Sequence, residues 1–169
     1  MFWSCSYLVD VRAFSEETAA ALASLFYIGM TAGRFLSGFI ADRVGDRCMI
    51  RYGTGLAILG FLLILLPVSS SGFALAGFLL AGLGCAPIYP SIIHTTPVCF
   101  GAKNSQAIIG IQMAFAYAGN TFMSPLFGLL AEHIAMELLP LYLLVFFGFM
   151  TLFLEKTYRL TRPIPTPGQ

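Results

Sequence analysis

Long apolar runs broken by short polar joints dominate this chain, and their spacing predicts helices that cross a membrane rather than helices that cover a soluble core. A spanning helix needs about 20 mainly apolar residues, and about five runs reach or approach that length. They occupy residues 18–40, 49–67, 73–93, 106–131 and 139–154. The joints carry turn residues: Ser69 to Gly72, Phe100 to Ser105, and Glu137 to Pro140. The last run is short, so Phe153 and Tyr158 are expected to complete it at the interface. Residues 1–9 are apolar and include Trp3 and Tyr7, but they are too few to span. They lack the basic leader and small-residue cleavage site of a signal peptide, so the expectation is the outer end of a truncated helix whose beginning lies upstream of Met1. Residues 155–169 end in Arg162-Pro163-Ile164-Pro165-Thr166-Pro167 and are expected to form a disordered tail. The resulting division is a helix stub at 1–9, a transmembrane bundle at 10–154 and a tail.

Composition strengthens the membrane reading. Hydrophobic residues make up 58% of the 169 and charged residues only 10%, with a mean hydropathy of +0.84. A water-soluble fold would lack the polar surface to cover itself. The net charge of +1 offers no nucleic-acid partner, because the few cations sit at the ends of apolar runs rather than on one face. Cys5, Cys48, Cys85 and Cys99 show no Cys-x-x-Cys spacing, and His94 and His133 add no ligand set, so neither metal nor cofactor is expected. The four cysteines read as free thiols.

Placement of the cations sets the orientation. Arg43, Arg47 and Arg51 fall in one connection, Lys103 in another, and Lys156, Arg159 and Arg162 at the C-terminus, and five crossings put all three groups on one side. The opposite side has Arg12 with Asp10, Glu16, Glu17, Glu132 and Glu137. Positive residues mark the cytoplasmic face, which predicts a multi-pass cell-membrane protein with a cytoplasmic C-terminus.

One joint carries more information than the rest. Gly38-Phe39-Ile40-Ala41-Asp42-Arg43-Val44-Gly45-Asp46-Arg47 resembles the signature loop of the major facilitator superfamily, in which a glycine near a helix end leads to an Asp-Arg pair, a second glycine and a basic residue. Asp46 departs from that pattern, since the family more often has a basic residue there. The resemblance implies an all-α integral membrane fold of two six-helix halves, with this loop between the second and third helix of a half. This chain then supplies nearly all of a C-terminal half, lacking its N-terminal six-helix partner. Three further stretches are similar to bacterial sugar permeases of the fucose-permease type: Tyr27 to Arg34, Ala86 to Pro90, and Gly110 to Tyr117 with Pro125 and Gly128. The resemblance implies a secondary active transporter, a symporter working by alternating access on a sugar or another small polar solute. It also suggests that Asp42, with nearby arginines such as Arg43, forms a latch against a helix N-terminus of the other half.

The residues themselves leave several roles open. Gly38 and Gly45 permit a tight turn, and the whole loop reads either as a gate or as a solvated turn with positive-inside charge. Arg34 lies inside an apolar run, where an ionisable side chain faces a cavity or partner or else snorkels to the headgroups; a structural or gating role is expected. Pro87 and Pro90 flank Tyr89 and predict a kink or break near mid-depth, either a site device or a packing accommodation. Gln112, Tyr117 and Asn120 fall within an arc of roughly 140° at 100° per residue. With Tyr27 and Tyr89 they read as a neutral wall of donors, acceptors and aromatic faces lining a substrate cavity, or as interhelical glue. Gly29 and Gly33, and Gly110, Ala114 and Ala118, read as packing stripes. No carboxylate lies at mid-depth in any span, so proton-coupling acids would belong to the other half.

Two rival functions have specific signals. Asp42 and Asp46 at i, i+4 could hold a divalent metal in a lipid-headgroup enzyme, but no further aspartates accompany them and Gly-x-Ser-x-Gly is absent, so no enzyme is expected. A stand-alone small membrane protein acting as a dimer or assembly partner would follow if Met1 were the native start.

Overall fold

A computed structural model describes residues 2–65, 71–133 and 139–160, and these are all-α. The helices are α1 (Phe2–Asp10), α2 (Glu16–Val44), α3 (Asp46–Leu65), α4 (Ser71–Cys85), α5 (Ile88–Phe100), α6 (Ala102–His133) and α7 (Leu139–Leu160). Ser15 caps α2 by accepting the Thr18 backbone N–H, and Glu16 and Glu17 in its first turn and Arg43 in its last both complement the helix dipole. The expected disordered tail differs at its start: α7 continues through Leu160, beyond the predicted end at 154. Met1 of the expected stub, residues 66–70 with the first half of the 69–72 joint, residues 134–138 with the first half of the 137–140 joint, and residues 161–169 of the expected tail lie outside the described residues.

Among the described residues four stretches are long and apolar enough to cross a membrane: Glu16–Ala41, Asp46–Leu65, Gly72–Phe100 and Leu139–Leu160. The fifth expected span, 106–131, falls within α6. This helix of 32 residues is about 48 Å long, ample for a bilayer. Gln112, Tyr117, Asn120 and Thr121 make it too polar to stand beside the other four.

At the centre, α4 lies between α2 and α3, and glycines bring the backbones together. A Cβ on Gly60 would strike Gly77 and Ala81 of α4, one on Gly84 would strike Gly53 and Ala57 of α3, and one on Gly82 would strike Phe26 and Met30 of α2. Gly29 and Gly33 meet Leu79, Leu83 and Ala86 in the same way, so that stripe packs. In lipid there is little hydrophobic drive between helices, and close backbone approach supplies the van der Waals contact that holds them. The other stripe, Gly110, Ala114 and Ala118, is exposed, and a Cβ on Gly110 would meet nothing within 4 Å.

α7 lies along α3 through the Phe61–Phe147 ring pair, 5.1 Å between centroids. α6 stands apart. It touches α5 through Gln112 and Thr96, and α1 and α7 through Phe127, which meets Trp3 at 5.9 Å and Tyr142 at 5.0 Å between ring centroids. The Trp3 indole lies over Gly128 and donates to the Ser124 carbonyl at 3.1 Å.

Candidate functional site

Three regions carry chemistry: the turn between α2 and α3, the break between α4 and α5, and the faces that α2, α5 and α6 turn away from the bundle.

At the first, α2 ends at Val44 and Gly45 adopts φ +81° and ψ 148°, a conformation that is essentially glycine-only. Its N–H reaches the Ala41 carbonyl at 2.9 Å and its carbonyl accepts from Met49 at 3.1 Å, so one residue closes α2 and opens α3. Gly38 sits in open space one helical stretch earlier, and Asp42 and Arg43 occupy the last turn of α2. Asp46, the departure from the family pattern, accepts a hydrogen bond or ion pair from His94 Nδ1 of α5 at 2.7 Å. Arg47 holds its guanidinium 4.8 Å from the Tyr158 ring centroid on α7. Arg51 donates to both carboxylate oxygens of Glu155 at 2.8 Å. The α2–α3 turn is thereby tied to α5 and α7 at one end of the bundle. Sequence reasoning missed the partners His94, Tyr158 and Glu155; the acidic Asp46 in a usually basic position was the signal for the first. At the other end, Arg12 donates to the Ile64 carbonyl, satisfying a backbone acceptor in the last turn of α3. Among the described residues no group of three His, Cys, Asp or Glu side chains could hold a metal, and all four cysteines are free thiols.

The second region is a turn at Ala86 and Pro87. α4 ends at Cys85, and Pro87 precedes α5 with no side-chain cap. Pro90 falls in the first turn of α5, where the missing N–H leaves no helical bond unmade. Tyr89 between the prolines is exposed.

The wall residues do not converge within this chain. Gln112 uses its amide against Thr96 of α5, with Nε2 and Oε1 at 3.2 and 3.3 Å from the hydroxyl, as interhelical glue would. Asn120 instead borders a cleft of about 290 Å³ between α6 and the rest of the bundle, whose walls include Trp3, Phe61, Cys85 and Tyr142. Tyr27, Tyr89 and Tyr117 point away from the bundle, Tyr27 57% and Tyr117 73% exposed. Arg34 is exposed on α2; its carbonyl accepts from the Ser37 hydroxyl at 2.9 Å, and its guanidinium makes no hydrogen bond or ion pair with any described residue.

A chain with polar side chains displayed from apolar helices, and a glycine-closed turn studded with charge, matches a known pattern along its whole length: the profile of the Major Facilitator Superfamily fits residues 1–168. The chain belongs to the major facilitator superfamily. It is a multi-pass membrane protein of a transporter family. This facilitator chain is 28% identical to membrane protein MosC of Rhizobium meliloti over 79% of its own length and 32% of that protein's. It is 33% identical to an uncharacterized transporter of Sinorhizobium fredii over 80% of its length and 36% of the relative's. A triacylglyceride transporter of Mycolicibacterium hassiacum is 30% identical over 61% of this chain and 22% of its own length. The facilitator chain therefore spans about a third of the curated relatives it matches best covered. No solved structure matches it.

Proposed function

We propose that this chain is the C-terminal helical half of a secondary active transporter that moves a small polar solute, a sugar or a related polyhydroxylated compound, by alternating access. One observation carries the reading: Tyr27, Tyr117 and Asn120 are exposed, and their side-chain polar groups have no hydrogen-bond partner among the described residues, on helices otherwise suited to lipid. An amide or phenol left unpaired in hydrocarbon is costly, so these groups need a water-filled cavity shared with a second bundle. Tyr89, beside the break at Pro87 and Pro90, supplies a further aromatic face to that cavity. The likeness of the stretches around Tyr27, Tyr89 and Gln112 to fucose-permease-type permeases favours a sugar among polar solutes.

The contacts from Asp46, Arg47 and Arg51 to α5 and α7 gather the most basic connection and the C-terminal helix end on one side of the bundle. That grouping supports a cytoplasmic C-terminus. Asp42 and Arg43, in the last turn of α2, form the latch against the N-terminal half in this reading.

The test is uptake of a panel of radiolabelled monosaccharides and sugar derivatives into cells producing the complete protein, with Asn120→Ala and Tyr117→Ala alongside. Accumulation that both substitutions weaken, with membrane insertion unchanged, is expected. Absence of uptake across the panel overturns the sugar-class reading, and uptake that neither variant alters removes these residues from the cavity.

A further inference from the structure

Along α2, Ser24, Tyr27, Thr31 and Arg34 are all exposed and fall within about 80° of arc at 100° per residue. About 80° or more away from them run the buried positions Phe26, Gly29 and Gly33, which pack on α4. On the other side, directly beside the polar arc and about 20–60° from Ser24, Ile28, Phe35 and Phe39 form an exposed apolar strip suited to lipid. The helix thus has three faces, and the polar one is neither packed nor lipid-like.

The chemistry of that face is definite. The hydroxyls of Ser24 and Thr31 donate to their own helix, to the Ala21 and Tyr27 carbonyls at 2.6 and 2.9 Å, which leaves each oxygen an outward acceptor. The Tyr27 hydroxyl has no partner among the described residues, and Arg34 adds a planar fork of cationic donors. No Asp or Glu occupies residues 18–41, 47–65, 72–131 or 139–154, and Asp46 and Glu155 at the helix ends are engaged by His94 and Arg51. The Arg34 guanidinium therefore meets no carboxylate among the described side chains.

Snorkelling does not account for it. Cα–Cβ bonds of a helix tilt toward its N-terminus, and long side chains follow them. In the proposed orientation α2 runs from the outer to the cytoplasmic face, so Arg34, about 13 Å before Arg43 along the axis, leans away from the cytoplasmic headgroups and toward Thr31 and Tyr27.

We propose that Arg34 binds an acidic group of the solute, and that the substrate is a polyhydroxylated carboxylate, a sugar acid rather than a neutral sugar. The inference rests on the transporter reading and sharpens its substrate class. The carboxylate takes the guanidinium fork in bidentate geometry, while the solute's hydroxyls donate to Ser24 and Thr31 and accept from Tyr27.

The experiment uses the purified complete protein, the water-soluble arginine reagent p-hydroxyphenylglyoxal, and two matched probes, gluconate and its neutral counterpart sorbitol. Modification of Arg34 is followed by peptide mass. Arg34 should react, and saturating gluconate should slow it about tenfold, the ratio for a site roughly 90% occupied, with no effect of sorbitol. In a thermal-unfolding companion, gluconate should raise the midpoint of wild type and Arg34→Lys but not of Arg34→Gln. Failure of Arg34 to react while Arg43 reacts overturns the proposal by placing the guanidinium outside the aqueous path. Equal slowing by both probes, or slowing by neither, also overturns it. Each of these outcomes leaves the transporter reading to be judged by the uptake assay alone.

Discussion

Replacing Gly84 with alanine tests whether the α3–α4 contact holds this bundle. The added methyl would lie 2.6 Å from the Gly53 carbonyl oxygen and 2.8 Å from the Ala57 Cα, and closer still to the Ala57 nitrogen. All three are backbone atoms, which no rotamer change can move. Carbon contacts are comfortable at about 3.5–4.0 Å, so the helices must part by about 1 Å along a seam that also includes Gly60 and Gly77. Overpacking of this kind costs about 1–3 kcal/mol, more than the ~0.4–1 kcal/mol that alanine returns by restricting the unfolded chain. Gly110→Ala is the matched control: the same substitution on another helix, where the new methyl would meet nothing within 4 Å. Thermal unfolding of the complete protein, followed by a thiol-reactive fluorophore reporting the exposure of buried Cys99, separates them. Gly84→Ala should unfold well below wild type, and Gly110→Ala at or slightly above it. Equal shifts for the two variants would refute the claim that backbone proximity, rather than glycine itself, sets the cost.

Other outcomes follow from the site. Gln112→Ala should lower stability by about 1 kcal/mol through loss of the Thr96 bond while leaving the solute KM unchanged, whereas Asn120→Ala should raise KM with little loss of stability; parallel uptake and unfolding measurements distinguish them. Gly45→Ala forces a side chain into a glycine-only conformation and should cost about 1–3 kcal/mol in the unfolding midpoint. Asp46→Asn and His94→Gln should each loosen the α3–α5 tie, and a double-mutant cycle should show their effects to be less than additive; full additivity would mean that the 2.7 Å contact contributes nothing in the membrane. Asp42→Asn should slow turnover while solute affinity stays at the wild-type value, measured by uptake and equilibrium binding side by side.

Helix existence was legible because apolar run length alone distinguishes a span from a joint, and the charged glycine turn could be read because its spacing is local. Rotation was not legible. Whether Gln112 faces α5 or a cavity depends on how α6 is turned relative to its neighbours, and the 140° arc it shares with Asn120 was wide enough for the two amides to end in different places. The small stripes show the same limit: Gly29–Gly33 and Gly110–Ala114–Ala118 look alike in sequence, yet one is buried on α4 and the other lies open. The Asp46–His94 tie links positions 48 apart, and nothing in local spacing could pair them.

The bond from Trp3 to the Ser124 carbonyl joins positions 121 apart, whereas the glycine seams among α2, α3 and α4 join positions less than half as far apart, such as 17 for Gly60 and Gly77 and 56 for Phe26 and Gly82. Synthesis proceeds at about 5–20 residues per second, so roughly 6–24 s separate the emergence of Trp3 from that of its acceptor. Over that interval the α2–α4 core can close and take in Tyr7 and Leu8 of α1, while Trp3 still lacks its acceptor. Biogenesis of this bundle therefore has a late, long-range step: the Trp3 end of α1 is fastened only after α6 arrives, and a ribosome stalled before Ser124 leaves a membrane intermediate in which α1 is held by the early helices alone.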